Sequence, residues 1–177
     1  MALNRAQTDD VLTGLGIDLA IADARGLLYH HEAQELVSIG LDILNREQRL
    51  TPAAAEAWRA MQTAAAVDAV QLLPVSGFRS VKEQAAIIER KLERGLALDA
   101  ILTEIAPPGY SEHHSGRAID IASAGSPPMT QDFEQTPAFA WLSANAGRFG
   151  FVMSFPRGNP YGYVFEPWHW CYHAALA

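Results

Sequence analysis

The sequence predicts an α+β fold in which a small antiparallel sheet packs with several helices. Three observations predict it. The first half is alanine-rich with apolar residues at helical spacing, the second half carries short apolar runs closed by Gly, Pro or Ser, and no internal repeat or low-complexity linker interrupts either. From His31 to about Arg46, apolar Leu36, Val37, Ile39, Ile43 and Leu44 recur at a spacing that predicts an amphipathic helix. Thr51-Pro52 offers an N-cap with proline at the first helical position, and Ala53 to Val70 predicts a helix that buries Trp58, Met61 and Ala65. Leu72 to Phe78 contains Pro74 and is closed by Gly77, which predicts a strand near a sheet edge. Ser80 and Glu83 form a capping box for a helix to about Arg94, where Gly95 ends it. A shorter helix is expected from Leu98 to Ile105, before Pro107-Pro108-Gly109 breaks the chain. Ala118 to Ala122 predicts a strand and Thr136-Pro137 opens a helix to about Arg148. Two last strands, Phe149 to Phe155 and Tyr163 to Tyr172, are expected on either side of a turn-rich segment from Pro156 to Pro160.

The 177 residues fit one domain with a core of its own, and the expected division is an N-terminal extension or helix over 1–29 and a main domain over 30–177. The net charge is −7 and basic residues are interleaved with acids, so no nucleic-acid surface is expected. A single cysteine, Cys171, excludes an internal disulfide. No run approaches the roughly 20 apolar residues of a membrane span. The polar start, Met1 to Arg5 followed by Asp9-Asp10, lacks the basic-then-apolar pattern of a secretory signal, which points to a cytoplasmic or phage-lysin-like location unless a leader is missing.

Chemistry concentrates in two segments, Ser111-Glu112-His113-His114-Ser115-Gly116-Arg117-Ala118-Ile119-Asp120 and Glu166-Pro167-Trp168-His169-Trp170. Zinc accepts imidazole and carboxylate donors, and a catalytic zinc keeps one position open. His113, Asp120 and His169 meet that requirement and leave Glu166 as the base for an attacking water. Ile119 and Ile121 are expected to point into the core, which turns Asp120 to the opposite face, towards a cleft on the sheet. Glu166 and His169 are an odd number of positions apart, so a bend at Pro167 is needed to bring both to one site. Other divalent ions suit the same donors.

The pattern Ser-x-His-x-x-Gly-x-Ala-x-Asp followed by Glu-Pro-Trp-His resembles the signature of VanY-type D-alanyl-D-alanine carboxypeptidases, in the group that includes lysostaphin-type peptidases and the hedgehog signalling domain. Ser76-Gly77-Phe78-Arg79-Ser80 with Gln84, and Pro108-Gly109-Tyr110, match in the same order, and the similarity covers roughly residues 30–173. The resemblance implies a zinc peptidase acting next to D-amino acids in peptidoglycan or muropeptide substrates. It implies His113, Asp120 and His169 as ligands, Glu166 as general base, Arg79 as oxyanion donor, and Ser111 and Gln84 as substrate-holding residues. An L,D-endopeptidase of the phage-lysin kind and a zinc-bearing binding module are the alternatives; Glu166 together with Arg79 speaks against the second. Relatives often carry arginine where this chain has Ser154 and Cys171, two positions expected to border the cleft.

Overall fold

The computed structural model describes residues 2–174. Asn4 and Gln7 close a capping box on α1 (Arg5–Gly14), and a one-turn helix, α2 (Ile21–Ala24), follows. The segment expected to be helical from His31 is instead extended and then forms a hairpin, β1 (Val37–Leu41) with β2 (Glu47–Leu50). The reason is local. Val37, Ile39 and Leu41 also alternate at strand spacing, and the buried Asp42 carboxylate accepts the backbone N–H groups of Leu44 and Arg46, bending the chain into a turn. Asn45 takes the left-handed conformation that the turn requires, with φ of 58°.

The helix after Thr51 is α3 (Pro52–Val67), and it buries Trp58, Met61 and Ala65 as its pattern predicts. β3 (Leu73–Ser76) is an edge strand of the main sheet, where Pro74 lacks a donor at little cost. The Ser80–Glu83 capping box starts α4 (Val81–Glu93). α5 (Leu98–Ile101) is a single turn, shorter than expected. β4 (Ala118–Ala122) has the predicted bounds. Thr136 caps α6 (Pro137–Asn145), which continues as a 3₁₀ turn over Ala146–Phe149. β5 (Phe151–Met153) and β6 (His169–Tyr172) are shorter than the segments predicted for them, because the intervening chain turns repeatedly at Gly158, Gly162 and Pro167.

The four main strands run antiparallel in the order β3-β4-β6-β5. Ile119 and Ile121 of β4 and Trp170 of β6 point to one face, where they join Trp58, Met61, Trp141 and Leu142 in the larger core. A smaller core gathers Leu12, Ile17, Ala22, Ile88, Ile101 and Tyr110, so the N-terminal helices are packed on α4 and α5. The opposite face of the main sheet is left to Asp120 and His169, and that asymmetry positions the site.

Candidate active site

Strand register creates the first contact. Asp120 of β4 lies directly opposite His169 of β6 in the antiparallel ladder, so the two side chains share one face. His169 enters the strand from a tight turn in which its N–H bonds the Glu166 carbonyl at 3.1 Å. That turn, at Pro167-Trp168, overrides the alternation of an extended strand and leaves Glu166 Oε2 4.0 Å from His169 Nδ1. His113 arrives from a 3₁₀ turn, Glu112–Ser115, that ends at Gly116 with φ of 65°. A side chain at Gly116 would meet Ala33 and Leu36 at 3.0 Å, so close packing as well as the positive φ calls for glycine.

His113 donates from Nδ1 to the Gly77 carbonyl at 2.6 Å, since a carbonyl only accepts, and its Nε2 then faces Asp120 Oδ2 at 3.3 Å. His169 Nδ1 lies 3.0 Å from Asp120 Oδ1. One donor atom from each of His113, Asp120 and His169 falls within 4.8 Å of the others, and all three residues are buried. Two imidazoles and a carboxylate converging in this way fit a divalent zinc-type ion with an open position. A Cβ at Gly77 would stand 2.6 Å from the Arg49 carbonyl oxygen, against which the backbone that anchors His113 is packed. Gly77→Ala is therefore expected to lower stability by about 1–3 kcal/mol, read from urea unfolding.

Arg79 is a largely buried cation of the site. Gln84 Oε1 accepts from its Nη1 at 2.8 Å, Ser76 Oγ from its Nη2 at 2.9 Å, and Asp120 Oδ2 lies 3.7 Å away. Gln84 spends its remaining amide on the Ala106 carbonyl at 2.7 Å, so it is braced between Arg79 and the cleft wall. Ser111 is buried and lines the cleft with them. His114 holds the motif to its surroundings: Nδ1 donates to the Arg79 carbonyl at 2.6 Å and Nε2 accepts from Gly109 N–H at 3.0 Å. Burial pushes its pKa down to about 4, as suits a neutral structural histidine.

Burial also pushes the Glu166 carboxyl up to about 7, with the Asp120 charge adding to the rise and His169 and Arg79 opposing it. That is the poise of a proton-transfer group near neutrality. It also has a stability consequence. The folded state holds this proton more tightly than the unfolded chain, so the contribution is complete below the ordinary value of 4.5 and is lost as pH rises through about 7. In chelator-treated protein, Glu166→Gln is expected to gain on the order of 3 kcal/mol over the wild type between pH 4 and pH 8. Urea unfolding of both proteins at the two pH values measures this, and a difference independent of pH would contradict it.

Glu112 belongs to the site although sequence reasoning passed over it between Ser111 and His113. Its Oε2 lies 2.8 Å from His169 Nε2 and accepts from Ser154 Oγ at 2.6 Å. Burial disfavours its charge, yet the hydrogen bonds from His169 and Ser154 pull its pKa down to about 2. For His169 burial likewise works against the charged form, but the bonds to Asp120 and Glu112 push it up to about 10. The expectation for Ser154 and Cys171 needs correction. They do not line the cleft but lie around Glu112, with Cys171 1% exposed and its thiol pushed up by burial and by the Glu112 charge.

The cleft itself has a volume of about 670 Å³. Arg79, Ser111, His113, Asp120, Glu166 and His169 all line it. Tyr163 forms part of the wall, and Arg25 of the N-terminal segment stacks 4.3 Å above its ring.

Comparison with known proteins identifies the relatives of this chain. The family model for VanY, D-alanyl-D-alanine carboxypeptidase, matches residues 47–175. A D-alanyl-D-alanine carboxypeptidase of Enterococcus faecalis is 31% identical over 119 residues, 62% of this chain and 42% of its own length. The chain spans less than half the length of this and of two other curated relatives. The LdcB LD-carboxypeptidase superposes with a TM-score of 0.71 at 29% identity, covering 80% of this chain and 69% of that one. A vancomycin-resistance D,D-pentapeptidase VanY, solved with Zn(II), gives a TM-score of 0.64 at 26% identity, with 82% and 86% covered. With the match spanning both motifs and the strands that bring them together, the chain belongs to the VanY family of D-alanyl-D-alanine carboxypeptidases.

Proposed function

We propose that this protein is a zinc carboxypeptidase that removes a terminal D-alanine from peptidoglycan-type peptides. The observation that carries it is the convergence of His113, Asp120 and His169 beside a carboxyl, Glu166, that burial has tuned to about 7. His113 Nε2, an Asp120 oxygen and His169 Nδ1 would hold the ion, and zinc supplies Lewis-acid polarisation of the scissile carbonyl and the attacking water. Glu166 takes the proton from that water and returns it to the leaving amine. Arg79, its guanidinium held by Gln84 and Ser76, donates to the oxygen that becomes negative in the tetrahedral intermediate. Ser111, which lines the cleft, offers its hydroxyl to the substrate. Gln84 lines the cleft, and its contribution is to aim Arg79, since both ends of its amide are engaged.

Residues 30–177 carry this chemistry, and 1–29 brace its wall. Arg5 donates to the Tyr110 hydroxyl at 2.6 Å, and Arg25 donates to the carbonyls of Tyr161 and Leu102 at 2.6 and 2.8 Å.

The test is release of D-alanine from a muropeptide pentapeptide ending in D-Ala-D-Ala, from the tetrapeptide ending in one D-Ala, and from D-Ala-D-Ala itself. Release from the pentapeptide that stops with chelator and returns with zinc supports the D,D-carboxypeptidase. Preference for the tetrapeptide would move the protein to the L,D side, the activity named for one of its structural neighbours. No release from any of the three, with zinc bound, would contradict the proposal.

A further inference from the structure

The imidazole of His169 is held from both ends by carboxylates, Asp120 Oδ1 at 3.0 Å from Nδ1 and Glu112 Oε2 at 2.8 Å from Nε2. His113 differs, because its outer nitrogen meets a neutral acceptor, the Gly77 carbonyl, at 2.6 Å. The two inner nitrogens, His113 Nε2 and His169 Nδ1, both face Asp120. We propose that Glu112 is the positioning residue for His169, its carboxylate fixing the proton on Nε2 so that the Nδ1 lone pair is aimed at the metal position beside Asp120. This rests on the zinc reading given above.

The surroundings of Glu112 suit the role. It opens the turn that carries His113, so one short segment supplies one metal-facing imidazole and the partner that orients the other. Its own carbonyl accepts from Ser115 Oγ at 2.5 Å, and His114 N–H bonds the Ser111 carbonyl at 3.0 Å, which fixes the turn on both sides of the residue. Ser154 Oγ donates to the same oxygen that faces His169, at 2.6 Å, and so holds the carboxylate in place. An acceptor that is charged, partly buried and itself hydrogen-bonded raises the basicity of a ligating histidine as well as fixing its tautomer. His113, tied to a carbonyl, has its tautomer fixed without that added charge.

Zinc affinity, measured by competition with a chromophoric chelator, tests the proposal. Glu112→Ala is expected to weaken binding about 10–100-fold, and Glu112→Gln, which keeps an acceptor oxygen, to recover part of the loss. Ser154→Ala should weaken binding in the same direction and by less. Long-range proton–nitrogen NMR of zinc-loaded protein carrying labelled histidine gives a readout that needs no variant. The expected result is opposite tautomers, the proton on Nδ1 for His113 and on Nε2 for His169. Zinc affinity unchanged within twofold in a folded Glu112→Ala protein would overturn the assignment while leaving the peptidase reading intact, and the proton on Nδ1 of His169 would overturn it together with Nδ1 as the ligating atom. A wild type that holds no zinc would overturn both.

Discussion

Glu166→Gln is expected to lower kcat by about 10²–10⁴-fold while the protein keeps its zinc and its KM changes little. Of the three carboxyl groups Glu112, Asp120 and Glu166 in the described site, Glu166 is the one that no side chain holds at hydrogen-bonding distance. Asp120 is taken up by His113, His169 and Arg79, and Glu112 by His169 and Ser154. Glu166 lies 4.0 Å from His169 Nδ1 and lines the cleft, near enough to the metal position to reach a water there without being needed as a donor. Glutamine has the same shape and cannot take the proton. Steady-state kinetics with zinc content determined on the same samples decides the matter. A variant that loses activity in proportion to lost zinc would mean that Glu166 holds the ion rather than the proton.

Arg79→Ala is the second large effect, a loss of about 10²–10³-fold in kcat, equivalent to roughly 3–4 kcal/mol of transition-state stabilisation. The guanidinium is largely buried, aimed by two neutral acceptors, Gln84 Oε1 and Ser76 Oγ, and held 3.7 Å from Asp120 Oδ2. That is preorganisation before substrate arrives. In the proposed role, the charge it answers exists only once the carbonyl has been attacked, so the loss should fall on kcat rather than KM. Arg79→Lys should recover little, because one ammonium cannot keep both neutral contacts and still donate into the cleft. Kinetics of both variants at saturating zinc provide the measurement. A loss confined to KM would reassign Arg79 to ground-state binding of a substrate carboxylate.

Much of this was readable in the sequence, for identifiable reasons. The helix after Thr51-Pro52, the Ser80–Glu83 capping box and the strand Ala118–Ala122 each combine a strong end signal with an unambiguous period, and the structure has them at or near those bounds. The alternation around Asp120 was enough to turn its side chain from the core. The hairpin at 37–50 was misread because Leu36 to Leu44 satisfies helical and strand spacing alike, and the deciding contact is the buried Asp42 carboxylate in the turn, a tertiary feature. The lengths of β5 and β6 depended on turns at Gly158, Gly162 and Pro167 that a hydropathy pattern alone does not weigh. Glu112 was missed because its partners are distant in sequence: His169 and Ser154 are 57 and 42 positions away.

The central claim is that His113, Asp120 and His169 form a catalytic zinc centre. X-ray absorption at the zinc edge of the loaded protein tests it most directly. The account predicts one zinc per chain, a first shell of nitrogen and oxygen donors at about 2.0–2.1 Å, and outer-shell scattering from two imidazoles. A sulfur donor at about 2.3 Å, which in this sequence would implicate Cys171 or a methionine, or scattering from fewer than two imidazoles, would contradict it.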